Sequence, residues 1–167
     1  RFQETDRRSQ ETDRRFQETD KKIKELTYLF TSQWGKLIEA LVQPACLDLF
    51  KQRGLDIERS MENIKAKHKG DTMEIDVLLI NDTELVVIEV KTTCRIKYIK
   101  KLKKDLAKFK TFFPEFKHYN VYGAIAALKY DEESDKHAQR KGLFVVKSSG
   151  KGIVEIMNPI DFKPMVH

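Results

Sequence analysis

The sequence is poor in the residues that build disulfide frameworks, phosphate loops and membrane spans. It has two cysteines, Cys46 and Cys94, and no CxxC pair. That excludes a disulfide scaffold or zinc ribbon and suits free thiols in a reducing cytoplasm. With only seven glycines there is no Gly-rich phosphate loop, and Gly150-Lys151-Gly152 reads as a turn between strands. The four histidines (His68, His118, His137 and His167) lack metal-ligand spacing and read as surface or turn residues. No Ser or Cys sits in a recognisable nucleophile elbow. No apolar run approaches the length of a membrane span, so no membrane partner is expected. The chain begins at Arg1, inside a repeat and without Met. It is expected to be a fragment, and the lack of a targeting segment then carries no weight. In a cytoplasmic setting the sequon Asn81-Asp82-Thr83 is a chance match.

What remains is charge and pattern. The 167 residues are 35% charged and 40% apolar, enough for one domain plus an extension. The net charge is +6. Its densest stretch is RIKYIKKLKKDLAKFK, residues 95–110, with eight basic residues and one acid. Such a stretch suits a phosphate backbone, and Lys97, Lys100, Lys101 and Lys104 are the candidate contacts.

Residues 1–29 repeat with period seven: FQETDRR, SQETDRR, FQETDKK and IKELTYL. With Phe2 at position a, Phe2, Ser9, Phe16, Ile23 and Phe30 share a, and Thr5, Thr12, Thr19 and Leu26 share d. Ser and Thr weaken this seam. Position e holds Asp6, Asp13 and Asp20, and position g holds Arg8, Arg15 and Lys22. A parallel in-register pair would set Arg8 against Asp13 and Arg15 against Asp20, whereas an antiparallel pair would oppose like charges. The pattern therefore predicts a homo-oligomer, a parallel coiled-coil dimer. Glu4–Arg8, Glu11–Arg15 and Glu18–Lys22 are also spaced to pair within one helix. From Leu26 the stripe broadens through Phe30, Trp34, Leu37, Ile38 and Leu41 into a core-facing helix. The expected domains are 1–29, a coiled-coil helix, and 30–167, a globular α/β domain.

The chemistry sits in MEIDVLLINDTELVVIEVKTT, two apolar strands (about 73–80 and 84–92) joined by a turn at Asn81-Asp82. Alternation puts Glu74, Asp76, Leu78 and Ile80 on one face of the first strand, and Leu85, Val87, Glu89 and Lys91 on one face of the second. If the turn centres on Asn81-Asp82, or a residue beyond, the open end of the hairpin brings Asp76 near Glu89. Charges on a buried hairpin are costly and imply a task. Two carboxylates and a backbone carbonyl, that of Val90, suit Mg²⁺ or Mn²⁺. Such an ion polarises a phosphoryl oxygen and activates water, and Lys91 would orient that water. Glu74 is either a further acidic group at the metal or an exposed neighbour of Asp76. Tyr98 and Trp34 read as core or rim aromatics.

Asp76-x12-Glu89-Val90-Lys91 resembles the PD-(D/E)xK motif of the restriction-endonuclease-like nucleases, over roughly residues 34–156. Ile75 stands where that family places a proline before the first Asp. The resemblance implies a mixed sheet flanked by helices and metal-dependent hydrolysis of DNA phosphodiesters. It implies an acidic residue on the preceding helix, here Glu39, and a basic residue on the following one, here Lys101 or Lys104. Nothing in the residues distinguishes DNA from RNA. The chain also resembles uncharacterised prokaryotic proteins that join heptad repeats to such a domain. The other reading is a nucleic-acid-binding or scaffolding protein that turns over weakly or not at all. The rest of the α/β pattern predicts a charged strand or strand pair in 55–68, a helix over 96–112 stopped by Pro114, and strands at 120–128, 142–146 and 153–157. A short helix is expected over 131–141, and a loop after Pro159.

Overall fold

In a computed structural model, the backbone of residues 2–42, 44–148 and 153–167 is described, with the side chains of those residues outside 38–46. The chain divides into two units, residues 1–35 and 36–167.

The first unit is helical. It belongs to α1, Phe2–Val42, whose repeats favour helix through Glu, Gln, Arg and Lys at exposed positions. Arg8 meets Glu4 at 3.3 Å and Arg15 meets Glu11 at 2.8 Å, as the spacing predicts. Glu18 instead takes Arg14, at 3.3 Å, and Asp20 takes Lys24, at 2.9 Å, so the expected Glu18–Lys22 pair does not form. Phe2, Phe16, Ile23, Leu26 and Phe30 are all more than half exposed.

The second unit holds α2 (Pro44–Lys51), β1 (Arg59–His68), β2 (Asp71–Ile80), β3 (Glu84–Cys94), α3 (Ile96–Phe112), β4 (Asn120–Tyr130), α4 (Ser134–Arg140), β5 (Phe144–Ser148) and β6 (Val154–Ile156). The α/β expectation stands. The six strands form one mixed sheet in the order β1-β2-β3-β4-β5-β6. β1, β2 and β3 are antiparallel, β3, β4 and β5 are parallel, and β6 returns antiparallel. Residues 59–68 make a single strand, and α4 is shorter than its polar pattern suggested. The predicted turn at Gly150–Gly152 lies outside the described residues.

α3 is the parallel crossover between β3 and β4. Its stripe of Ile99, Leu102, Leu106 and Phe109 is buried against Leu78, Ile80, Leu85, Val87, Val121 and Ile125. Gly123 of β4 leaves room for this packing: a Cβ there would force the terminal methyls of Leu106 and Leu143 to shift. The interior strands are buried on both faces, which is why Val86, Ile88, Val90, Ala124 and Ala126 read as unbroken apolar runs.

The tail after Pro159 is irregular but tied down. The Met165 amide donates to Gly142 O (3.0 Å) and the His167 amide to Val121 O (2.9 Å). His167 is consequently not a surface histidine: its ring lies 2.8 Å from Lys103 Nζ. At the other end of the sheet, Arg53 donates to the carbonyls of Pro159, Asn158 and Ile156. The buried Asn158 accepts from the Val145 amide at 2.7 Å and donates to Leu143 O at 3.1 Å. Asn158→Ala would strand both groups, so its urea midpoint should fall by the equivalent of about 2–3 kcal/mol with an unchanged slope. An unmoved midpoint would show that these two bonds do not hold β5.

Candidate metal centre and its flanking cations

The β2–β3 hairpin turns over Asn81–Glu84. The Asn81 side chain accepts from the amides of Thr83 (2.9 Å) and Glu84 (2.7 Å), which fixes the register at Ile80↔Leu85. The paired positions run to Val77↔Ile88 and stop. β3 itself continues alongside β4 as far as Cys94↔Tyr130. Asp76 and Glu89 are the next two positions, and they face each other where the ladder ends. Asp76 stands in for the missing strand: its Oδ2 accepts the Val90 amide at 2.8 Å. An extended residue turns its N–H and C=O to the same edge, so the Val90 carbonyl lies on this open edge as well.

β1 is also interrupted here. Its register skips the position opposite Asp76, where Asn63 takes a left-handed φ of 50°. Asn tolerates that region better than most residues. Along β2, alternate burial holds through Met73 and Ile75, then every residue from Val77 to Ile80 is buried.

Lys91 Nζ lies 3.2 Å from Glu89 Oε1. The Glu89 side chain is only 14% exposed, so this pair is shielded in a way that surface pairs are not. Lys91 also stands over the Tyr98 ring, 4.5 Å from its centroid, and Lys97 lies 5.0 Å from the same ring. Tyr98 is half-buried, as a rim aromatic is, and its ring lies against two ammonium groups. Burial, more than any charge, pushes the Asp76 carboxyl above its ordinary range against the Val90 hydrogen bond and Lys91. Burial and then the Asp76 charge push Glu89 up, with Lys91 opposing. Burial works against the charge of Lys101, but its 3.1 Å bond to Asp105 and the charges of Asp105, Glu89 and Asp76 outweigh that and hold it up.

The structure therefore brings Asp76, Glu89, Val90, Lys91 and Lys101 to one place. Glu74 is the exposed neighbour: it pairs across the strand with Lys65 at 3.5 Å. Lys100 and Lys104 open on another flank of α3. The Glu39 side chain lies outside the described residues. Among the described residues no group of three or more His, Cys, Asp or Glu side chains is arranged to hold a metal ion. What the site offers is two carboxylates and a backbone carbonyl. Sequence reasoning missed Tyr98 and Asn63. A signal for Tyr98 was its place seven residues after Lys91, on the first turn of the crossover helix.

The two carboxylates disfavour each other's charge. Glu89→Gln should raise the thermal midpoint by a few degrees at neutral pH, about 1 kcal/mol. A carboxyl held above its ordinary range penalises the fold only while ionised. The difference should thus be full at neutral pH and close as pH falls through the raised range. A lower midpoint for Glu89→Gln at neutral pH would show that Lys91 outweighs the repulsion.

Residues 45–154, more than half the chain, match the family model described as "Domain of unknown function (DUF8196)". No curated protein matches the sequence. Among solved structures, a protein of unknown function, AF1548, is similar at a TM-score of 0.44 and 19% identity, over 66% of this chain and 56% of that one. A repair endonuclease from Pyrococcus abyssi is similar at a TM-score of 0.40 and 23% identity, over 62% of this chain and 44% of that one. The chain thus spans about half the length of these two solved structures. It belongs to the family of the domain of unknown function DUF8196.

Proposed function

We propose that this domain is a nuclease that hydrolyses DNA phosphodiester bonds with Mg²⁺ or Mn²⁺. The observation that carries the reading is the facing pair Asp76 and Glu89, both half-buried, at the open end of an interior hairpin with Lys91 and Lys101 beside them. Asp76 has a structural task in accepting the Val90 amide, but a purely structural hairpin gains nothing from a second carboxylate, Glu89, that disfavours its charge. Asp76, Glu89 and the Val90 carbonyl form a hard-oxygen donor set, and both carboxyl groups would be relieved of mutual repulsion by a divalent ion. When bound, that ion supplies a Lewis acid and a more acidic water.

The chain's own residues do the rest. Glu89 and the Tyr98 ring hold the Lys91 ammonium at a fixed place, where it orients the attacking water by donating to it. Lys101, bonded to Asp105, adds a second positive charge for the charge that develops on the phosphoryl oxygens. The basic face of α3, with Lys97, Lys100 and Lys104, holds the backbone near the site. Glu39 is assigned an assisting role through water or a second ion. RNA would meet the same groups, and the sugar is left to the experiment.

The test is cleavage of supercoiled, linear and branched DNA and of single-stranded RNA, with Mg²⁺ or Mn²⁺. Lys91→Ala should lower the rate at least about a hundredfold. Asp76→Ala should abolish both cleavage and the heat of metal binding. Full activity in Lys91→Ala would place the chemistry elsewhere. The second reading, a binding or scaffolding protein, is favoured by the lack of a third acidic ligand among the described residues. It predicts DNA binding with no product from any substrate in either ion.

The exposed seam of α1, from Phe2 to Phe30, is assigned to a second copy in a parallel coiled coil. The e and g charges favour that orientation. Two sites would then act as a pair, in the cytoplasm, with no membrane contact; among the described residues no helix is long and apolar enough to cross a membrane. Light scattering should give a dimer, and Asp13→Arg with Asp20→Arg should shift it towards monomer. A wild-type monomer at micromolar concentration would remove the pairing.

A further inference from the structure

α3 carries its lysines on two flanks. At about 100° per residue, Lys101 and Lys103 lie on opposite edges of the buried stripe. Tyr98, Lys101 and Asp105 belong to the flank beside Asp76 and Glu89. On the other flank, α3 and α4 enclose a cleft of about 330 Å³ lined by Ile99, Lys100, Lys103, Lys104, His137 and Lys141. Its floor is apolar, formed by Ile99 and the lysine stems, and no carboxylate lines it.

Four lysines around one cleft repel each other. No described carboxylate lies within salt-bridge distance of Lys100, Lys104 or Lys141. Lys103 is occupied otherwise, bonding Lys141 O at 3.1 Å and lying 2.8 Å from His167 Nε2. Burial and then the Lys141 charge hold its own ammonium below the ordinary lysine range. The imidazole Nε2 of His137 is buried and has no hydrogen-bond partner among the described residues.

We infer that this cleft binds a backbone phosphate of the nucleic acid that crosses α3, with Lys100, Lys104 and Lys141 as its donors and the His137 ring in its wall. The inference rests on the nucleic-acid reading above and needs neither cleavage nor a metal. It gives α3 two jobs: one flank faces the reacting phosphate and the other grips a second phosphate of the same strand. An anion supplies the countercharge the lysines lack, and it would lie beside the His137 ring.

The test is a nuclear magnetic resonance titration of the full chain in EDTA, with inorganic phosphate and then a short duplex DNA as probes. Both should shift the His137 ring and the Ala138 amide. Lys100→Gln with Lys141→Gln should erase those shifts and weaken duplex binding about tenfold at low salt. It should also lower the log–log salt slope by about two. Lys65→Gln with Lys67→Gln removes the same charge from β1 and should leave the His137 shifts intact; equal losses in both pairs would mean diffuse attraction and overturn the cleft. A His137 shift with phosphate but not duplex would overturn the backbone assignment in favour of a small free anion. Duplex binding without any His137 shift would sink the cleft alone, whereas no duplex binding by the wild type would sink the nucleic-acid reading itself.

Discussion

The arrangement depends on one hydrogen bond, from the Val90 amide to Asp76 Oδ2 at 2.8 Å. β3 has to pair with β4 along its whole length, because α3 crosses over between them. β2 has no such obligation and leaves β3 after Val77. The separation creates an open edge in the middle of a sheet, where unpaired backbone groups are expensive. A carboxylate at position 76 satisfies the donor and thereby keeps its own charge in place. The same bond leaves the neighbouring carbonyl on the open edge and Glu89 directly across. Sheet geometry and site geometry are thus one constraint.

That constraint has a cost that the surroundings offset. Asp76 and Glu89 are both pushed towards their neutral forms by burial, and each charge disfavours the other. Lys91 and Lys101 act against this from β3 and α3. Asn63, in its left-handed conformation opposite Asp76, marks where β1 accommodates the break. Local strain and like charges gathered at one point of an otherwise apolar hairpin are the pattern expected where stability yields to function.

Much of this was legible in the residues. The alternation of MEIDVLLI against ELVVIEVK fixed which side chains share a face. A turn at Asn81-Asp82 or a residue beyond brought Asp76 near Glu89, and the structure takes the longer turn, with Ile80 paired to Leu85. The i, i+3, i+4 stripe of α3 and its stop at Pro114 were equally plain. What escaped reading involves contacts between distant segments. Nothing local tells that Lys91 rests on Tyr98, that Glu74 prefers Lys65, or that Arg53 and Asn158 bind the far edge of the sheet. The tail after Pro159 is the expected loop, but its bonds to Gly142 and Val121 are made by backbone groups, which carry no sequence signal. His167 was misplaced for the same reason. The i, i+4 partners in α1 were ambiguous because Glu18 has a basic residue four positions away on either side, at Arg14 and Lys22.

The division of lysines along α3 follows from the crossover as well. A helix that packs one stripe on a sheet leaves two edges, and here each edge meets a different neighbour. On one edge Lys101 is neutralised within the protein, by Asp105 of α3 itself and then by the carboxylates at the strand ends of β2 and β3. On the other edge α4 supplies Lys141 and His137, so Lys100 and Lys104 meet more positive charge. A random scatter of lysines for solubility would have no reason to concentrate like charges in a concave place. Carboxylates on one flank and unneutralised lysines on the other make α3 electrically asymmetric about its own axis. Under the proposed function, a polyanion would be drawn to the α4 side, and the carboxylates would admit a phosphate once a cation joined them. On that reading binding and chemistry would be separable in this domain, the lysine flank needing no metal and the carboxylate flank needing one.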